Sequence, residues 1–270
     1  MQESEAISSK DAPGTGGYRY EKDLIAYLNK SGNIPAGMED PAGTDDSIPD
    51  ITIQSKGNES GVEVKLSDNV PFGSGTIGFD YLKFAADLNP WFMKESKKEA
   101  GQFISEMADQ VNLIEEVNSK WFYRNSKVDH YVPYKIEEQR KYFKGKNLPE
   151  KRIQYETDKK NLDDIYISCP VINISNYYIR KKSYYVQIGN KGFFWFGGPD
   201  PLNLKNILPR YDPTEARFRI RVQYKTSTSY RYSYELYGKG LQKSSYSLGD
   251  ARMSGDNKYI SLIETPINFL

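Results

Sequence analysis

The sequence predicts a mixed α+β fold, and three observations predict it. Tyr18 to Lys30 carries Leu24, Ile25 and Leu28 at helical spacing, ahead of Gly32 as a stop. Two β-branched runs follow, Ile48-Pro49-Asp50-Ile51-Thr52-Ile53 and Gly61-Val62-Glu63-Val64-Lys65-Leu66, on either side of a turn-rich stretch from Ser55 to Ser60. From Ile165 onward the chain reads as short strands punctuated by Gly, Asn, Pro and Ser. The expected fold is therefore a mixed β-sheet core flanked by helices, with additional antiparallel strands in the C-terminal half.

In order, residues 1–17 are polar and small, read as a disordered leader with no apolar signal segment. Residues 18–270 are read as one domain, its core near 18–125 and its basic, strand-rich portion near 165–270. Four acids, Glu39, Asp40, Asp45 and Asp46, lie in the loop that leads into the hairpin. Opposing Ile51 to Val64 and Ile53 to Val62 would bury all four on one face, because strand side chains alternate. That pairing sets Asp50 across from Lys65 and Thr52 across from Glu63. Asp50 and Glu63 become diagonal neighbours roughly 7–8 Å apart, near enough to share a cation.

Phe72-Gly73-Ser74-Gly75 reads as a joint and Thr76 to Phe84 as a third strand. Residues 92–123 read as helix, with Phe103, Met107, Val111, Ile114 and Val117 recurring every three or four positions. Residues 124–162 read as charged surface helices broken near Lys144-Gly145-Lys146. The run 185–196 reads as a hairpin closed by Gly189-Asn190-Lys191-Gly192, its aromatics serving the core. Gly197 to Pro201 is a turn, lacking the Lys-Ser/Thr of a phosphate loop.

Composition narrows the chemistry. Hydrophobic residues make up 38% of the 270 and aromatics 14%, enough for a core. Cys169 is the one cysteine and His130 the one histidine, which excludes a Cys/His zinc site and argues against imidazole-based triads. A metal here would be a hard cation on oxygen ligands. A lone cysteine and no signal segment suit a reducing cytoplasm. Residues 1–70 hold 13 of the 36 acids and 6 of the 37 bases, a net of −7, so the remainder carries +8. An acidic segment joined to a basic one suits an enzyme that acts on a polyanion, although halves of opposite sign can also simply pack together.

Asp50 and Glu63 supply carboxylates, the Val64 carbonyl a further oxygen, and Lys65 an ammonium on the same strand face. Each fragment alone is commonplace, since Glu-x-Lys on a strand is usually a solvated charge pair. A helix with Glu21, then Pro49-Asp50, then Glu63-Val64-Lys65 resembles the PD-(D/E)XK nuclease superfamily, over residues 18 to about 84. The resemblance implies a restriction-endonuclease-like fold and a DNA endonuclease using Mg²⁺, with Mn²⁺ as a substitute. Asp50, Glu63 and the looser match Glu21 would bind the metal, and Lys65 would orient or activate the attacking water. A phage-type origin is an expectation of the same kind.

Arg217, Arg219 and Arg221 alternate along one strand with Lys225 in phase, a row that can bind phosphates. Lys181 and Lys182, set among Tyr177, Tyr178, Tyr184 and Tyr185, form a second basic-aromatic segment. The expected partner is double-stranded DNA, with a homodimer as a candidate assembly and no membrane. Two rivals stand beside this reading: a non-catalytic nucleic-acid-binding protein, and an exonuclease or RNA-directed nuclease of the same superfamily.

Overall fold

A computed structural model of the chain describes residues 15–30, 48–80, 82–83, 86, 88–125, 162, 165–226, 229–248 and 265–266. The fold is α+β. Four helices occur among these residues: α1 (Thr15–Lys30), α2 (Glu99–Asp109), α3 (Leu113–Asn125) and α4 (Ile172–Arg180). The strands are β1 (Ile51–Ser55), β2 (Asn58–Lys65), β3 (Gly73–Phe79), β4 (Trp91–Met93), β5 (Tyr166–Cys169) and β6 (Ser183–Ile188). They continue as β7 (Gly192–Trp195), β8 (Glu215–Thr226), β9 (Ser229–Lys239), β10 (Tyr246–Ser247) and β11 (Thr265–Pro266). The chain forms two compact units. The first comprises 1–70, 178–213 and 240–270; the second comprises 71–177 and 214–239.

The first unit is built on a mixed sheet in the order β1-β2-β6-β7. β1 and β2 are antiparallel, β2 and β6 parallel, β6 and β7 antiparallel. The apolar stripe of α1 (Tyr20, Leu24, Ile25, Leu28) packs with Ile51, Ile53, Val62, Val64, Tyr185 and Phe193 into one buried cluster. Tyr178 stacks on Phe196 with ring centroids 5.0 Å apart, and Phe196 meets Tyr211 edge-on. Phe193, Phe194 and Phe196 are all buried, so the aromatic hairpin does serve the core.

The register of the first hairpin differs from expectation. Ile51 pairs with Val62 and Ser55 with Asn58, a shift of two residues from the expected Ile51–Val64 pairing. The cause is the turn. Lys56 and Gly57 both take positive φ, 50° and 78°, which makes the two-residue turn whose twist matches the flanking strands. β2 therefore begins at Asn58 instead of after Ser60. A two-residue shift keeps every side chain on its face, so the apolar set stays together. Continuing the observed register places Asp50 opposite Glu63 rather than Lys65.

The second unit holds an antiparallel sheet in the order β4-β3-β9-β8-β5. β3 is shorter and earlier than the expected Thr76–Phe84 strand, and it lies in this sheet, not beside β1 and β2. The place next to β2 goes to β6. The expected helix over 92–123 is divided: Trp91–Met93 is strand, and α2 and α3 are separated at Asn112, whose φ is 51°. Asparagine tolerates that left-handed backbone, and Leu113 just after the break is buried, as are Ile104 and Val117. In the disordered leader the sequence led us to expect, residues 15–17 are the first turn of α1.

α4 is the helix the strand-like grammar hid. Ile172-Asn173-Ile174 alternates as a strand would, yet Ile174, Tyr177 and Tyr178 are buried at i, i+3 and i+4. The helix ends where Lys182 takes a φ of 59° and its N–H returns to the Ile179 carbonyl. The expected surface helices over 124–162 lie outside the described residues, apart from Arg124, Asn125 and Leu162. No helix among the described residues is long and apolar enough to cross a membrane.

Candidate metal centre

The hairpin register and one glycine assemble the site. Gly61 lies in β2 where the pairing with β6 shifts between Gly61 and Val62. A Cβ there would come within 2.3 Å of the Pro49 side chain and 2.6 Å of the Lys182 carbonyl. Absence of a side chain thus lets two chain segments close on the same point of β2. One carries Pro49-Asp50, the other Lys181-Lys182.

Asp50 stands just before β1, where the ladder with β2 ends. Its Oδ2 accepts a hydrogen bond from the Val64 N–H at 2.8 Å, so the side chain continues the ladder the backbone leaves off. Because the N–H and C=O of one strand residue point to the same edge, the Val64 carbonyl is directed to Asp50's side as well. Glu63 projects from the face opposite Val62 and Val64, and is 2% exposed. Both of its oxygens are held: Lys65 Nζ is 2.5 Å from Oε1, and Lys181 Nζ is 3.2 Å from Oε2. The two ammoniums share one aromatic floor, lying 5.9 Å (Lys65) and 5.2 Å (Lys181) from the centre of the Tyr178 ring.

Electrostatics tie Glu21 to this group. Burial raises its carboxyl to about 8, and the negative charge of Asp50 adds to the rise, with Lys65 opposing. Asp50 is raised to about 7, first by burial and then by Glu63, with Lys65 and the Val64 N–H opposing. Glu63 moves the other way. Its burial alone would raise it, but Lys65 and Lys181 together outweigh burial and hold it below the usual carboxylate range. The cluster therefore sorts its acids: Glu63 is a committed anion, and Asp50 and Glu21 retain protons near neutrality.

α1 is set against the sheet by a buried polar link that sequence reading missed. Gln187 on β6 donates to the Tyr20 hydroxyl at 3.2 Å and accepts from the Leu248 N–H at 3.0 Å. Tyr20 precedes Glu21, so this link fixes the turn of α1 that carries the acid. A glutamine within an aromatic strand gives no sequence signal for that role. Lys181 was read as a phosphate-binding residue, and its place on Glu63 is equally silent in sequence. The i, i+3, i+4 apolar pattern of α4 is the signal that would have found Tyr178.

The other basic residues stand elsewhere. Lys182 is exposed at the end of α4. Arg217, Arg219 and Arg221 belong to the second unit and share one face of β8, while Phe218, Ile220 and Val222 are buried on the other. The arginines have partners on that face. Arg217 bonds Glu215 at 3.1 Å and stacks over Tyr166 at 4.4 Å, Arg219 lies 5.8 Å from the same ring, and Arg221 is 3.8 Å from Glu235. Lys225 is in β8, but its side chain lies outside the described residues.

No protein-family model matches the chain, and no curated protein or solved structure is significantly similar to it. The site must be judged on its own chemistry. Among the described residues, no three Asp, Glu, His or Cys side chains converge at metal-ligating distance. The side chains nearest to such a group carry oxygen donors, the kind a hard divalent cation takes. Burial, and after it the negative charge of a neighbouring acid, raises Glu21 and Asp50 in spite of Lys65. Asp50, Glu63 and the Val64 carbonyl, with Glu21 at the margin, are the oxygens that would hold such a cation.

Proposed function

We propose that the first unit carries the active site of a Mg²⁺-dependent DNA endonuclease. The observation that carries this reading is the coupling of Glu21, Asp50 and Glu63, delivered by a helix, a strand entry and a strand, with Lys65 seated on Glu63. The resemblance of Glu21, Pro49-Asp50 and Glu63-Val64-Lys65 to the PD-(D/E)XK superfamily supports the same conclusion. A bound divalent cation supplies the Lewis acidity that polarises a phosphate and eases deprotonation of water.

The chain's own residues do the rest. Asp50, fixed by the Val64 N–H, presents an oriented carboxylate at the edge of the sheet. Lys65 is anchored in β2 and half-shielded by the Tyr178 ring, so its ammonium is available within the site to orient water in line with the phosphorus and to offset charge on the departing oxygen. The arginine face of β8 is proposed to bind the phosphate backbone of DNA, its three guanidiniums spaced two residues apart along one strand.

Incubation with closed circular DNA, linear DNA and RNA, each with Mg²⁺ or with chelator, tests the reading. Conversion of circular DNA only in the presence of Mg²⁺ is the expected result. Cleavage restricted to linear ends, or to RNA, would assign the same chemistry to an exonuclease or a ribonuclease. Binding of DNA with no cleavage of any substrate would favour the non-catalytic alternative.

A further inference from the structure

We propose that Lys181 is a positioning residue of this site, a fixed clamp on Glu63 that leaves Lys65 as the exchangeable partner. The inference deepens the nuclease reading and rests on it for its catalytic limb. Four observations carry it. Lys181 Nζ lies 3.2 Å from Glu63 Oε2, and the paired side chains are 5% and 3% exposed. The lysine follows α4 directly, at a helix end fixed by the left-handed Lys182 and by the close approach of the Lys182 carbonyl to Gly61. Lys65 holds the other oxygen but is 17% exposed, against 5% for Lys181. Both ammoniums rest against Tyr178, which is itself fully buried and stacked on Phe196.

A buried Lys181–Glu63 pair is a poor device for stability. Desolvating both charges is costly, and well-packed apolar replacements are often neutral or better. The arrangement makes sense as orientation. With Oε2 committed to Lys181, Glu63 keeps one rotamer and offers Oε1 alone. With Oε1 given over to a cation, Lys65 would be released toward solvent, while Lys181 would stay to hold the acid. The two lysines are not interchangeable in this scheme, because the Lys181 side chain is buried on Glu63 whereas that of Lys65 is partly exposed.

The test is a double-mutant cycle of K181M and E63Q, with K181R as the charge-retaining variant, read in two ways. In urea denaturation, the destabilisation caused by K181M should fall by at least half in the E63Q background, and equal shifts in both backgrounds overturn the pairing. In titration with Mn²⁺, E63Q should weaken binding tenfold or more. K181M should bind Mn²⁺ no more weakly than wild type, since a repelling ammonium is gone, yet lose tenfold or more in cleavage rate, with K181R recovering part of the loss. Unchanged cleavage in K181M, or Mn²⁺ binding weakened as in E63Q, overturns the positioning role. If wild-type protein neither binds Mn²⁺ nor cleaves DNA, the nuclease reading fails by itself, and the denaturation cycle still decides the clamp.

Discussion

Glu63 sits where an isolated carboxylate would be protonated, and two lysines keep it charged. For Asp50 and Glu21 burial outweighs the nearby lysine charge, which gives a pH dependence of definite sign. In the unfolded chain Asp50 and Glu21 ionise near their ordinary values, 3.8 and 4.5; folded, they do so near 7 and 8. Between those limits the folded state holds more protons, so stability falls as pH rises from about 4.5 to 8 in the absence of divalent ions. Thermal melts should show this decline and should show it weakened in Asp50→Asn. A wild-type profile that rises or stays flat relative to Asp50→Asn across that window contradicts the assigned electrostatics. Added Mg²⁺ should raise the melting temperature more at pH 8 than at pH 5.5, because bound cation and bound proton compete for the same oxygens. Residue type and spacing singled out Glu21, Asp50 and Glu63 in the sequence, and the structure couples their charges. Their unequal protonation was not legible there, since it depends on Lys181, which lies 118 positions from Glu63.

At the scale of elements, the β1–β2 hairpin and its glycines are the most exposed to test. Gly57 at φ 78° closes a turn that a β-branched residue resists, so Gly57→Val should destabilise by about 1–3 kcal/mol in chemical denaturation. Gly61→Ala should cost a similar amount, about 1–3 kcal/mol, because the added methyl overlaps Pro49 and the Lys182 carbonyl. It should also reduce cleavage beyond what the stability loss explains, since both arms of the site are displaced; unaffected activity would show that Gly61 does not set their approach. Alternation of apolar residues was enough to predict which face of the hairpin is buried, and it survived a two-residue error in register because the side-chain period is two. The turn was misread because Ser55 to Ser60 is polar throughout, and polarity does not distinguish strand ends from loop. On β8 the alternation was read correctly, and charge reversal at Arg219 and Arg221 should weaken DNA binding and flatten its salt dependence. Equal affinity and an unchanged salt slope would remove that strand from the interface.

For the whole molecule, the α+β class and the antiparallel strands of the C-terminal half followed from hydrophobic period and turn residues. What the chain order could not reveal is that β3, next in sequence to the hairpin, joins the second unit, while β6, more than a hundred residues later, completes the first. Such long-range pairing leaves no mark in local pattern, and the helix that delivers the chain to β6 was itself disguised by alternating Ile and Asn. The acidic excess of residues 1–70 likewise has a structural location: Glu21, Asp50 and Glu63 all belong to the first unit, and the arginine row to the second. The central claim is that these acids form a catalytic cation site, and the most direct measurement is cleavage of supercoiled DNA with Mg²⁺ by wild type, Asp50→Ala and Glu63→Ala side by side. Wild type should nick the DNA only with Mg²⁺, and either variant should lose at least a hundredfold, about 2.7 kcal/mol of transition-state stabilisation. Equal cleavage by all three, or none by wild type over several DNA substrates, would contradict that claim.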